Sequence, residues 1–227
     1  MRFIYLHGFA SGPESGKGQF FRTRFAELGH QLELPDLTEG DFEHTTLTRQ
    51  LGLLERLLAG DAAVLLGSSM GGYLAALAAA RHPREIPAVV LLAPAFGLAR
   101  HWAESDDADA VRDWRQRGWR MVYHYGEKRE RRLAYDLIAD GLRYEEFPDV
   151  RQPALVIHGR QDDAVDYRLS ERFAEGRSNV ELLLVDSDHQ LLDVLDLLWD
   201  RVRDFLRGFG TVFYMGQNRS SRSSSMI

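Results

Sequence analysis

The 227-residue chain contains no cysteine. This excludes a disulfide framework, a thiol nucleophile and any cysteine-based metal centre. The chain also lacks the run of about 18 apolar residues that a membrane-spanning helix needs. Its start, Arg2-Phe3-Ile4-Tyr5-Leu6, has none of the sections of a signal peptide. Basic residues are not in excess. With 28 Lys and Arg against 34 Asp and Glu, the net charge is −6, which argues against a general binder of nucleic acid or of an acidic membrane surface. The expectation is a soluble, cytoplasmic protein acting on small neutral or polar molecules. What is present, 44% hydrophobic and 27% charged residues, is the composition of a globular protein with one sizeable core.

Short apolar runs rich in β-formers alternate with amphipathic stretches. Strands are predicted at Arg2–Leu6, Gln31–Leu34, Ala62–Leu66, Ala88–Leu92, Ala154–Ile157 and Val180–Val185. Helical spacing runs through Leu47, Leu51, Leu54 and Leu58, through the alanine-rich Gly71–Arg81, through Leu169 and Phe173, and through Leu191–Leu206. Continuous apolar strands alternating with helices predict an α/β protein with a mostly parallel, six-stranded, doubly wound sheet. Residues 1–94 and 148–206 form this core. Residues 95–147 break the alternation and carry Trp102, Trp114 and Trp119 among charged residues. An insertion after the C-terminal end of a strand lies over the ligand-binding edge of such a sheet, so this segment is read as a helical lid. Residues 207–227 form a tail with an apolar stretch, Thr211–Met215, and a Ser/Arg-rich end that cannot bury a core and is expected to be flexible.

Gly67-Ser68-Ser69-Met70-Gly71 fits G-x-S-x-G, the pattern that lifts a serine onto a strained strand-to-helix turn. Alone it means little, since about 0.1 matches arise by chance in a chain of this length and composition. Its context adds weight. Ser69 follows the third strand, the Asp162/Asp163 pair follows the fifth and His189 follows the sixth, all at the edge where α/β sheets place their sites. A serine hydroxyl needs an adjacent base. A histidine with an ordinary pKa of about 6.5 can take its proton and return it, and a carboxylate fixes that histidine's tautomer. Ser68 has the same chemistry, but only Ser69 has glycine two residues away on both sides.

The order Ser, Asp, His, together with His7-Gly8-Phe9, Gly67-Ser68-Ser69-Met70-Gly71, His158-Gly159-Arg160-Gln161-Asp162 and Asp188-His189, resembles the α/β-hydrolase superfamily from Arg2 to about Leu206. The compact start His7-Gly8-Phe9-Ala10-Ser11 and the elbow running on to Gly72-Tyr73 are similar to the small bacterial YqiA-type esterases. The resemblance implies a serine hydrolase of the carboxylesterase kind, cleaving small esters or thioesters through an acyl-enzyme on Ser69, with His189 as general base. It places the acid three residues after the strand-ending glycine, at Asp162, with Asp163 one residue late. It also implies an oxyanion hole made by the backbone N–H groups of Phe9 and Met70. No cofactor and no metal are expected, and the oligomeric state is open.

Other readings of the same residues exist. Ser11–Gly18 lies where a phosphate-binding loop would, but Ser11 stands where its first glycine belongs and Gly18 replaces the Ser or Thr that holds Mg²⁺. His7 is read as a loop brace and His158 as a structural hydrogen-bonder. His101 and His124 have no partners at metal-ligand spacing. Two alternatives to ester hydrolysis remain: an inert scaffold acting as a binding protein, and an acyltransferase or C–C hydrolase using the same triad.

Overall fold

The computed structural model describes residues 1–104 and 108–208. Its centre is a six-stranded sheet of β1 (Arg2–Leu6), β2 (Leu32–Glu33), β3 (Ala63–Ser68), β4 (Val89–Leu92), β7 (Ala154–Gly159) and β8 (Val180–Val185). The spatial order is β2-β1-β3-β4-β7-β8 and every pairing is parallel. The six expected strands are all present. The second is shorter than its apolar run, and Pro35, which has no N–H to extend a ladder, follows soon after it.

Alternate residues of each strand enter two separate cores. Ile4, Leu6, Leu65, Leu91 and Val156 pack on one face, beneath α2 (Leu47–Leu58), α3 (Met70–Arg81) and α7 (Arg168–Ala174). Phe3, Tyr5, Val64, Leu66, Val90, Leu155 and Ile157 pack on the other, beneath α1 (Gly16–Glu27) and α8 (Leu195–Arg207). A strand buried on both faces has no need of polar residues, which is why these runs are continuous. Helix α3 is buried throughout Met70–Ala79, and its small alanines let it lie close against the sheet. Helix α2 is capped at its start, where the Thr46 side chain accepts from the Arg49 N–H.

Register aligns the C-terminal strand ends. Leu6 pairs with Gly67, Ser68 with Leu92, Leu92 with Ile157, and Gly159 with Val185. The loops that follow therefore converge on one edge.

The helical segment expected at Leu191–Leu206 begins differently. Leu191 is fully buried with φ +54°, and a 3-10 turn (Leu192–Val194) precedes α8. The need to bury Leu191 in the α1/α8 core explains the break before the helix. Within residues 95–147, short helices α4 (Leu98–Ala103) and α6 (Asp136–Gly141) and helix α5 (Ala108–Arg117) are joined by an antiparallel hairpin of β5 (Trp119–His124) and β6 (Arg129–Ala134). The insertion is thus helical and stranded rather than wholly helical. The apolar stretch Thr211–Met215 and the Ser/Arg-rich end lie outside the described residues. Among those described, no helix is long and apolar enough to cross a membrane.

Candidate active site

Ser69 sits between β3 and α3 with φ +56° and ψ −120°, a conformation that non-glycine residues avoid. The surroundings hold it there. Its N–H donates to Leu92 O at 2.9 Å, and its carbonyl accepts from Tyr73 N at 3.1 Å and Ala95 N at 3.0 Å. The flanking glycines are steric necessities. A Cβ on Gly67 would stand 2.2 Å from Gly71 O and would force β3 and α3 apart, and one on Gly71 would stand 2.2 Å from Leu6 O and would force α3 away from the end of β1.

The Ser69 hydroxyl lies 3.1 Å from His189 Nε2, and His189 Nδ1 lies 2.7 Å from Asp162 Oδ2. The three come from the ends of β3, β7 and β8 and are joined by side-chain hydrogen bonds alone. Main-chain bonds tie the two loops together: Arg160 N donates to Val185 O at 2.8 Å and Gln161 N to Ser187 O at 3.0 Å. Asp188 Oδ1 accepts from Gln190 N and Leu191 N, closing the turn behind His189. Asp163, the other member of the pair, is exposed, so Asp162 is the aspartate that reaches His189.

The Asp162 side chain is fully buried. Burial alone would push its carboxyl up, but hydrogen bonds from His158, His189 and Val165 N–H outweigh it and hold the group well below the usual carboxylate range. Oδ1 accepts from Ala164 N at 2.9 Å and Val165 N at 2.8 Å. Oδ2 is shared by His189 and by His158 Nε2 at 2.9 Å. His158 Nε2 also faces Val165 O, and its Nδ1 faces Ser170 Oγ at 2.7 Å. With two pure acceptors at Nε2, the network assigns the proton there and makes Nδ1 the acceptor from the Ser170 hydroxyl. His158 is a structural hydrogen-bonder as its position suggests, and the group it bonds is the carboxylate facing His189.

Met70 is the first residue of α3, so its N–H precedes the helical hydrogen-bond ladder and points out at the positive end of the helix dipole. Phe9 follows Gly8, and a Cβ on Gly8 would lie 3.4 Å from Ser69 Cβ, so this loop is in contact with the elbow. Ala10, next in the loop, has φ +50°. His7 braces the loop from beneath. It is buried, its Nδ1 lies 3.0 Å from Gly8 O and its Nε2 accepts from Leu37 N at 3.2 Å. Burial holds its pKa below the ordinary value.

Sequence reading left Lys17 without a role. It is only 8% exposed, in the first turn of α1, and its Nζ donates to the His189 carbonyl at 3.4 Å. Burial lowers its pKa to about 8, against the opposing pull of Asp162 and Asp188. The available signal was a single lysine in a glycine-rich turn at the start of an amphipathic helix, which reads as a failed phosphate loop until the fold brings it under His189.

The insertion closes over the Phe9 side of this edge. The Phe9 ring meets Trp102 edge-on at 5.1 Å and Phe42 at 5.6 Å, and the buried His124 packs its ring on Phe42 at 4.6 Å. Gly126, in the hairpin turn, donates to Ala10 O at 3.4 Å. Trp114 is buried within the insertion, where its indole N–H donates to Leu133 O at 3.1 Å. Among the described residues there is no cluster of three or more histidine, aspartate or glutamate side chains that could hold a metal ion.

Comparison with known proteins agrees with this architecture. The model of the uncharacterised protein family UPF0227 matches residues 2–207. The mitochondrial palmitoyl-protein thioesterase ABHD10 of Bos taurus is 26% identical over 212 residues, covering 86% of this chain and 68% of the relative; the human protein is 25% identical over 211 residues. Among solved structures, mouse alpha/beta hydrolase domain-containing protein 10 superimposes with a TM-score of 0.78 at 20% identity, over 92% of this chain and 90% of that one. Est1E from Butyrivibrio proteoclasticus, solved with ferulic acid bound, gives 0.75 at 22% identity over 91% and 88%. The monoacylglycerol lipase of Paleococcus ferrophilus gives 0.68 at 16% identity over 92% and 94%. At these identities the structural likenesses establish the fold.

Proposed function

We propose, for a chain that belongs to the UPF0227 family and to the α/β-hydrolase superfamily, that it is a serine hydrolase cleaving small carboxylic esters or thioesters through an acyl-enzyme on Ser69. The observation that carries this reading is the continuous hydrogen-bonded chain from Ser69 through His189 to the buried Asp162. The relatives named as palmitoyl-protein thioesterases favour a thioester or ester as the scissile bond.

In this mechanism the Ser69 hydroxyl attacks the carbonyl carbon while His189 Nε2 takes its proton. Asp162 stabilises the imidazolium and keeps Nε2 directed at the serine. Negative charge builds on the carbonyl oxygen, where the N–H groups of Met70 and Phe9 receive it. One such donor is worth roughly 10² to 10³ in rate. Collapse of the tetrahedral intermediate expels the alcohol or thiol, which leaves with the proton returned by His189. Water then attacks the acyl-enzyme with His189 again as base, releasing the acid and restoring Ser69. Residues 95–147 act as a lid whose Trp102 and hairpin bound the substrate.

The intact hydrogen-bonded chain supports this reading over an inert binding scaffold. Turnover of short-chain p-nitrophenyl esters by wild type and by Ser69→Ala tests it. Activity is expected to vanish in the variant, and equal activity in the two proteins refutes the proposal.

A further inference from the structure

The insertion holds a cation that the chemistry above leaves unused. In β5, Met121 and Tyr123 point outward and are exposed, while Arg120, Val122 and His124 share the inner face of the hairpin. Val122, like Phe9, packs against the core that includes Met70, and His124 sits on Phe42. Arg120 lies on the same face, opposite the fully buried Leu133. Its guanidinium carbon is 4.1 Å from the Trp114 ring centre and 5.3 Å from that of Trp102. Trp102 in turn touches Phe9, so Arg120 is two ring contacts from the loop that offers the Phe9 N–H.

Several neighbouring arginines have carboxylate partners. Arg129 and Arg131 pair with Glu127, Arg112 with Asp109, and Arg117 with Asp113. Arg120 has no carboxylate partner among the described residues, and its Nε is a buried donor with no acceptor. Burial lowers its pKa, and no acid among the described residues acts against that effect. A half-buried cation without a counter-charge carries a desolvation cost that two aromatic faces offset only in part. The two ring centres stand 6.2 Å apart with their planes inclined at 51°, so they flank the guanidinium on adjacent sides rather than covering both of its faces. A guanidinium flanked in this way keeps terminal N–H groups for an acceptor such as a carboxylate.

We propose that Arg120 forms an anion subsite, which takes a carboxylate carried by the substrate at the end remote from its scissile carbonyl. This rests on the serine-hydrolase reading and narrows its substrate class to acidic esters or thioesters. The carboxylate supplies the counter-charge that Arg120 lacks among the described residues, meeting its terminal Nη groups because Nε is buried, and contact with Trp102 and Trp114 restricts the guanidinium before substrate arrives.

The test compares p-nitrophenyl half-esters of glutaric, adipic and suberic acids with neutral p-nitrophenyl esters of matched length, and includes 4-butyryloxybenzoate, which carries its carboxylate on the leaving group. The reading is the ratio of kcat/KM for the anionic ester to that for the neutral one. Wild type is expected to favour at least one anionic ester, and Arg120→Met to lower that ratio by about 10- to 100-fold, the worth of a charged hydrogen-bonding pair. Arg120→Lys, which keeps the charge and loses the planar fork, is expected to fall between them. Equal losses on anionic and neutral esters in both variants, or an unchanged ratio in both arms, overturn the subsite.

A binding measurement separates this failure from failure of the hydrolase reading. Suberate is titrated against the tryptophan fluorescence of Ser69→Ala, with and without Arg120→Met. Weaker binding in the double variant supports the subsite even where no ester is turned over, and identical binding refutes it. If neutral esters are hydrolysed with dependence on Ser69 while the ratio and the binding ignore Arg120, the subsite alone is wrong.

Discussion

His158 and His189 converge on a single oxygen, Oδ2 of Asp162, at 2.9 and 2.7 Å. The carboxylate that orients one imidazole is therefore itself oriented by another, locked in turn by Ser170 and Val165. Replacing His158 with Phe removes a donor without touching Ser69 or His189. The expected result is a fall in kcat of about 10-fold with KM little changed, the effect of one hydrogen bond to a charged group. His158→Gln, which retains an N–H donor, is expected to recover part of it. Steady-state kinetics on both variants, with equal loss in Phe and Gln, would show that volume rather than the donor matters.

Asp162 and Asp163 are adjacent in sequence but differ in environment. Asp162→Asn is expected to lower kcat by roughly 10³- to 10⁴-fold, because an amide stabilises the wrong tautomer of His189. Asp163→Asn changes an exposed side chain and is expected to alter kcat by less than about twofold. The Asp162 variant should also differ from wild type in acid stability. A carboxyl held low in the folded state adds stability above its unfolded pKa of 3.8, and that stability is lost as pH falls through the lower folded value. Urea denaturation at a series of pH values should show the wild-type advantage shrinking below about pH 4.

Lys17 gives a prediction of opposite sign. Its folded pKa of about 8 lies below the ordinary 10.5, so below pH 8 the buried ammonium is charged in both states and folding carries the full desolvation cost. As pH rises from about 8 towards 10.5, the folded protein releases this proton while the unfolded chain keeps it, and the cost is relieved. Lys17→Met is therefore expected to be more stable than wild type by about 1 to 3 kcal/mol at pH 7. The advantage should fade by about pH 10. Its kcat is expected to drop, because His189 loses the donor on its carbonyl. A variant less stable than wild type at pH 7 and equally active would remove Lys17 from the site's design.

The strands and the glycine elbow were legible in the sequence because each depends on local chemistry: Val64 to Leu66 is apolar on both faces, and Gly67 and Gly71 meet backbone atoms wherever this turn occurs. The hairpin of the insertion was not. Its inward residues include Arg120 and Arg131, cations held against aromatic rings, so the alternation that marks a strand is written in charged residues and is indistinguishable from a solvated helix face. The role of Lys17 and the bond between His158 and Asp162 were illegible for another reason. They are set by contacts spanning 172 residues in one case and by the curl of a loop in the other, and no spacing rule encodes either.

The insertion has a topological duty. β4 and β7 lie side by side and parallel, so the chain must leave the end of one and return to the start of the other, which takes a dozen or more residues. Residues 95–147 are that return path. The sheet thus depends on this stretch whatever side chains it carries, because deleting it would leave β4 and β7 without a connection long enough to make them parallel neighbours.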